Sequence, residues 1–222
     1  MLLVQSTKKV LKEGILIAIE GIDGAGKTTQ ANILYRRLLK EGYPVSLFHE
    51  PTNGKWGRKI ANLVRNGRQN TDPMREFQLF FLDRKEDVEK NIRPALSNKK
   101  IVIMDRYYLS NVAYQGALGL QADFIENKNE EAFPIPRKTI ILDLSPQVAL
   151  SRIRKERNSV PNHFERKKYL SKVRKIFLQR FSGRKNVVVI EGDAKRNIDE
   201  IASQILNIVR PIVRSVEEQN SE

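Results

Sequence analysis

Gly21-Ile22-Asp23-Gly24-Ala25-Gly26-Lys27-Thr28 is a G-x-x-x-x-G-K-[ST] loop that follows directly on the apolar run Ile15 to Glu20. Its glycines permit backbone angles closed to other residues, so successive N–H groups can converge on one anion with no Cβ in the way. Lys27 adds a full positive charge, and the Thr28 hydroxyl suits a magnesium ion. The helix that the loop opens adds the partial positive charge of its N-terminus. Together these groups fit the phosphate chain of a nucleoside triphosphate. A chance glycine-rich turn would need neither a strand before it nor an amphipathic helix after it. Ile33, Leu34 and Leu38 at helical spacing, with Gly42 where a C-cap is wanted, supply that helix.

Five short aliphatic or β-branched runs recur along the chain: 15–20, 45–49, 101–105, 139–144 and 187–191, with helix-like stretches between them. Strands apolar on both faces, alternating with helices, predict a parallel sheet sandwiched between helical layers. Ligands of such sheets bind beyond the carboxyl ends of the strands. The polar residues there are Gly21 onward, Glu50, Asp105-Arg106 and Gly192-Asp193. With no internal repeat and no long linker, residues 1–222 read as a single domain, and the polar tail 216–222 reads as frayed.

The 222 residues are 40% hydrophobic, enough for one substantial core. The absence of cysteine excludes disulfides, thiolate metal sites and a cysteine nucleophile. The N-terminal apolar run is too short for a signal peptide and no run is long enough to span a membrane, so a soluble, cytoplasmic protein with no membrane partner is expected. Lys plus Arg exceed Asp plus Glu by 40 to 26, a net charge of +14 that favours anionic partners. Much of the excess lies between Arg152 and Lys185, where helical spacing makes a solvated face the simplest explanation.

A regulatory GTPase would need a D-x-x-G switch after its third strand and an N-K-x-D base reader later. The third run is followed by Asp105-Arg106-Tyr107-Tyr108, and the nearest match to the reader is Asn127-Lys128-Asn129-Glu130. Motors and transporters need domains that this length does not hold. A small-molecule kinase remains, and here the chain resembles the thymidylate kinases, nucleoside monophosphate kinases acting on dTMP. The resemblance rests on Glu20 through Thr29, His49-Glu50-Pro51-Thr52, Phe80 with Asp83-Arg84, Asp105-Arg106-Tyr107 leading to Ser110-Asn111-Val112-Ala113-Tyr114-Gln115-Gly116, and Leu142-Asp143-Leu144-Ser145-Pro146. These segments run in the family order along nearly the whole chain. The resemblance implies a three-layer α/β P-loop kinase fold with a five-stranded parallel sheet and a short arginine-bearing lid near 150–166. It also implies ATP with Mg²⁺, a pyrimidine deoxynucleotide acceptor and a homodimer.

The acceptor side follows from the matched residues. Phe80, on a helix predicted from about Pro73 to Pro94, can stack on a base or simply pack in the core beside Leu79 and Phe81. Arg84, one turn on, can donate to a base carbonyl or pair with a neighbouring acid. Asn111 carries the donor and acceptor that complement the N3–H and carbonyl edge of thymine; its alternative role is helix capping, for which Ser110 is an equally good candidate. Glu50 and Gln115 belong to the matched acceptor motifs. By resemblance Tyr114 lies against C2′ of the sugar, and Asp23 reaches the acceptor 3′ hydroxyl and the water around the metal. Arg106, at the end of the third strand, is the expected phosphate clamp. Asp105 beside it can hold magnesium through water, and Glu165 is a further acid expected near the metal.

Between two phosphorylated substrates the protein has mainly to align and to neutralise charge. The expected mechanism is in-line transfer with no phosphoenzyme. Lys27, the metal and at least one arginine must offset the charge that develops, and such an arginine is worth ~10³ to 10⁵ in rate in related chemistry. Gly24 stands where some thymidylate kinases carry arginine, so the lid must supply it. Candidates come from the helix that Ser145 caps and Pro146 begins: Arg154 or Arg157 for catalysis, with Arg152 and the loop residues Gly21 to Thr29 holding ATP. Residues 158–162 interrupt that helix, as a closing lid would. Gly192-Asp193-Ala194 lies where the family packs adenine.

Two departures stand out. His49-Glu50-Pro51 replaces the frequent Arg-Glu-Pro, and Asn162-His163-Phe164-Glu165 replaces the frequent Asp-Arg-x-Glu, keeping only the acid. The alternatives are a relaxed pyrimidine deoxynucleotide kinase that accepts dUMP, a deoxynucleoside kinase, and a basic nucleic-acid-binding ATPase. No nucleic-acid motif accompanies the charge, so no nucleic-acid partner is expected.

Overall fold

The computed structural model describes residues 8–65, 72–157, 163–192 and 197–218. Five parallel strands form one sheet in the order β2-β3-β1-β4-β5. They are β1 (Ile15–Gly21), β2 (Val45–His49), β3 (Ile101–Asp105), β4 (Lys138–Asp143) and β5 (Val187–Glu191), each where an apolar run predicted it. β1 and β3 are buried along their whole length, whereas the edge strand β2 is half covered. This is the helix–sheet–helix sandwich that continuous apolar strands require.

The first connections are α1 (Lys27–Lys40), α2 (Lys55–Arg65) and α3 (Pro73–Asp87). Then come α4 (Arg93–Ser97), α5 (Tyr108–Ala117) and α6 (Ala122–Ala132). The last three are α7 (Pro146–Arg157), α8 (His163–Ile176) and α9 (Ile198–Arg214). The helix predicted to run from Pro73 to Pro94 is broken by a π-helical turn, Val88–Ile92, between α3 and α4. Pro94 has no N–H to give to the carbonyl four residues back, and the wider turn just before it accommodates the missing bond. Gly42 follows α1 with φ 90°, in the left-handed conformation that ends a helix.

Buried apolar side chains form one cluster that extends from Leu11 to Val216. The tail is ordered further than its polar composition predicts. Lys12 N donates to Val216 O at 2.8 Å and Glu218 N to Val10 O at 2.9 Å, making a short antiparallel clasp between the two ends of the chain. Tyr43 Oη donates to Glu217 Oε2 at 2.7 Å and Lys9 pairs with Glu217 at 3.0 Å. Residues 219–222 lie outside the described residues. Among the described residues no helix is long and apolar enough to cross a membrane.

Strand register sets the site. Ile19 of β1 pairs with Asp105 of β3, and Asp105 with His49 of β2, so three carboxyl ends finish at one level. Arg106 N donates to Ile19 O at 3.0 Å and Glu50 N to Asp105 O at 3.1 Å, which brings the turns after the three strands side by side.

Candidate active site

The turns open into a cavity of about 1390 Å³ that runs from the N-termini of α1 and α9 across to α3 and α5. Gly26 caps α1 with φ 91°, in the left-handed region that glycine enters without steric cost. Gly24 has φ 79°, and a Cβ there would come 2.6 Å from the Ala149 carbonyl oxygen of α7. The loop therefore has no room for a side chain at this position.

Lys27 is 5% exposed and donates Nζ to Ile22 O at 2.8 Å. Burial, and then the charge of Arg106, bring its pKa down to about 7. Thr28 Oγ1 donates to Asp105 Oδ2 at 2.5 Å, placing a hydroxyl and a carboxylate together at the end of the loop. Among the described residues no three acidic, histidine or cysteine side chains gather as a metal cage. Two hard oxygen donors beside a phosphate cradle suit Mg²⁺, which keeps most of its ligands as water and phosphate oxygen.

Arg106 has φ 72°, left-handed for a bulky side chain, and it turns back across the loop. It donates to Gly21 O at 3.3 Å, to Ser110 Oγ at 3.2 Å and to Asp23 Oδ1, with Tyr114 under its guanidinium. Tyr114 Oη accepts from Asp23 N at 2.9 Å. Beneath this group Glu20, fully buried, accepts from Tyr107 N at 2.9 Å and Ser110 N at 3.1 Å, and so fixes the first turn of α5. Burial raises its pKa, against the opposing hydrogen bond from Ser110.

Most expected site residues line this one cavity. Asp23 through Thr29 and Arg152 occupy one end, Glu50, Phe80, Asn111, Tyr114 and Gln115 the other, and Asp105-Arg106 the junction. Gly21 and Ile22, which begin the loop, do not line the cavity. Arg84 does not line the cavity. Only 1% exposed, it donates Nε to Glu50 Oε1 at 3.0 Å, Nη2 to Glu50 Oε2, and Nη1 to both Asn111 Oδ1 and Asn129 Oδ1, the last at 2.5 Å. The guanidinium thus ties Glu50, Asn111 and Asn129 together behind the cavity wall. Burial raises the Glu50 pKa, with Arg84 pulling the other way.

Of the expected lid residues, Arg152 lines the cavity. Arg154 is exposed and stands off the cavity. The Arg157 and Glu165 side chains, the interruption at 158–162 and Asp193-Ala194 lie outside the described residues. Arg166, near the start of α8, lines the cavity and pairs with Asp23 across 3.8 Å.

A family model described as thymidylate kinase matches residues 19–205. The chain belongs to the thymidylate kinase family. A probable thymidylate kinase of Archaeoglobus fulgidus is 40% identical over 206 residues, 93% of this chain and all of that one. A thymidylate kinase of Xanthomonas campestris pv. campestris is 44% identical over 196 residues, 88% of this chain and 83% of that one. The crystal structure of thymidylate kinase from Ehrlichia chaffeensis superposes with a TM-score of 0.64 at 26% identity, covering 89% of this chain and 99% of that one. Membership in this family makes the chain a phosphotransferase.

Reading the sequence did not single out Arg166, Glu76 or Asn129, and it gave Glu20 only as the start of a matched segment. Glu20 had a signal, a carboxylate inside an otherwise apolar strand. Arg166 had none, because its place depends on how α8 returns over the loop.

Proposed function

We propose that the protein transfers the γ-phosphoryl group of ATP to dTMP, giving dTDP and ADP, within a single kinase domain. The observation that carries the reading is the junction of the cavity. There Asp23 meets Arg106, Arg166 and Tyr114, with the phosphate loop on one side and Phe80 and Asn111 on the other.

In this reading the loop amides and Lys27 hold the triphosphate, with Arg152 above them. Arg106 clamps the acceptor phosphate and, being fixed by Gly21 and Ser110, sets it in line with the donor. Asp23 accepts the acceptor 3′ hydroxyl, and the buried Tyr114 packs on the sugar where a 2′ hydroxyl would need room. Phe80 covers the base face and Asn111 reads its edge. Arg166 takes the part expected of Arg154 or Arg157 and offsets charge on the transferring group. Thr28 and Asp105 would hold Mg²⁺, which would neutralise part of the phosphate charge. The resemblance further implies a cytoplasmic homodimer, which light scattering at micromolar concentration checks.

A coupled assay of ADP release with ATP·Mg²⁺ and dTMP, dUMP, dCMP, UMP, AMP, thymidine or no acceptor tests the reading. Preference for dTMP is expected. Turnover with thymidine alone, or without any acceptor, would overturn the acceptor site and leave the phosphate loop.

A further inference from the structure

Asn111 stands in the cavity wall with its amide held from both sides. Its Oδ1 accepts from Arg84 Nη1, its Nδ2 donates to Gln115 Oε1 at 3.2 Å, and Gln115 Nε2 donates in turn to Glu76 Oε1 at 2.9 Å. None of these four side chains is more than 2% exposed. The hydrogen bonds run one way, from a guanidinium that can only donate to a carboxylate that accepts. Arg84 is itself fixed by Glu50 and by Asn129, whose Nδ2 donates to Ile125 O at 2.7 Å.

Neither amide can turn over alone without setting two N–H groups or two carbonyls face to face. If both turn together, an NH₂ group meets the Arg84 guanidinium and a carbonyl meets the Glu76 carboxylate. Each such mismatch at a buried charged partner is worth about one to two orders of magnitude in an equilibrium. Asn111 therefore presents a fixed order of acceptor and donor to the cavity. We infer that this one-way chain makes Glu76, through Gln115 and Asn111, a positioning residue that confines the acceptor to pyrimidines with N3–H beside a carbonyl, and excludes cytosine. This rests on the proposed pyrimidine acceptor site. With the base held in register by its phosphate and by Phe80, cytosine offers a bare N3 lone pair beside an amino group. Reading that edge requires Asn111 turned over.

The test uses dTMP, dUMP and 5-methyl-dCMP, since the first and third differ only along the edge that Asn111 reads. The wild-type protein is expected to prefer dTMP to 5-methyl-dCMP by about 10³ or more in kcat/KM. Glu76→Gln keeps the shape but can donate or accept, removing one of the two mismatches, so that preference falls about tenfold or more. The dTMP-to-dUMP ratio stays the same, because ring position 5 is not part of the hydrogen-bonded edge. Glu76→Asp, still acceptor-only, retains the preference. A purely structural Glu76 would lower all three acceptors together in Glu76→Gln with the preference intact, and that result overturns the inference. Calorimetric Kd values for dTMP and 5-methyl-dCMP read the same preference in any variant too slow to assay. Wild-type protein that takes 5-methyl-dCMP as readily as dTMP also overturns the inference and spares the pyrimidine reading, whereas turnover of none of the three overturns the acceptor site itself.

Discussion

Lys27 rests on the Ile22 carbonyl, with burial and Arg106 bringing its pKa to about 7. Phosphates beside it reverse that balance, so binding ATP at pH 8 should draw in roughly one proton per site. Calorimetry in buffers of different ionisation enthalpy reads this directly; binding with no proton uptake would sink it. The same shift acts on folding. An unfolded lysine keeps its proton to about pH 10.4, so between about pH 7 and 10 the unfolded chain binds the extra proton and the Lys27 contribution to stability rises with pH. Arg166→Ala is expected to lower kcat about 10³-fold with dTMP binding nearly unchanged, while the exposed neighbour Lys167→Ala stays close to wild type. Steady-state kinetics checks both. Loss confined to KM would remove Arg166 from the transfer step.

Helix α8 places Arg166 at the cavity. Its later turns are tied down: Tyr169 Oη donates to Tyr114 O at 3.0 Å, and Arg174 holds both oxygens of Asp143 at 2.6 and 2.7 Å. Arg166 lies one turn before Tyr169 and inherits that placement. Arg174→Ala should therefore cost about 10- to 10²-fold in kcat by misplacing Arg166, with nucleotide binding retained in a calorimetric titration. Little of this was legible in the sequence. The five strands and the phosphate loop announce themselves through local patterns of apolar runs and glycines. The burial of Arg84 and the reach of Arg166 depend on which helices cross, and no local pattern records that. The stretch Arg152 to Lys185 reads as a solvated basic face, yet Arg166, Arg174 and Arg180 from it each make a specific ion pair.

At the scale of the molecule, the clasp of Val10–Lys12 with Val216–Glu218 closes the amino-terminal edge of the sheet, opposite the cavity. Its strand-like pairing was hidden in a polar tail whose partners lie about two hundred residues away. Removing residues 215–222 uncovers Leu11 and deletes the buried Val216. Burial of one such side chain is worth about 1.5 to 3 kcal/mol, so a fall in Tm of roughly 4 to 10 °C is expected, with kcat at 25 °C preserved. A thermal melt and an activity assay on the same sample check the pair of outcomes. Loss of activity in the folded, truncated chain would show that the far edge is coupled to the site.

The close approach of Gly24 to Ala149 also constrains how this enzyme can change. In the proposed mechanism the loop and the returning helix would be two seats for one catalytic cation, and the α7 backbone blocks the first. Moving the arginine by the paired exchange Gly24→Arg and Arg166→Gly would leave neither seat filled in working geometry. A lineage could pass from one arrangement to the other only after α7 had first drawn back, so the order of substitutions, and not merely their sum, decides whether every intermediate keeps a working kinase.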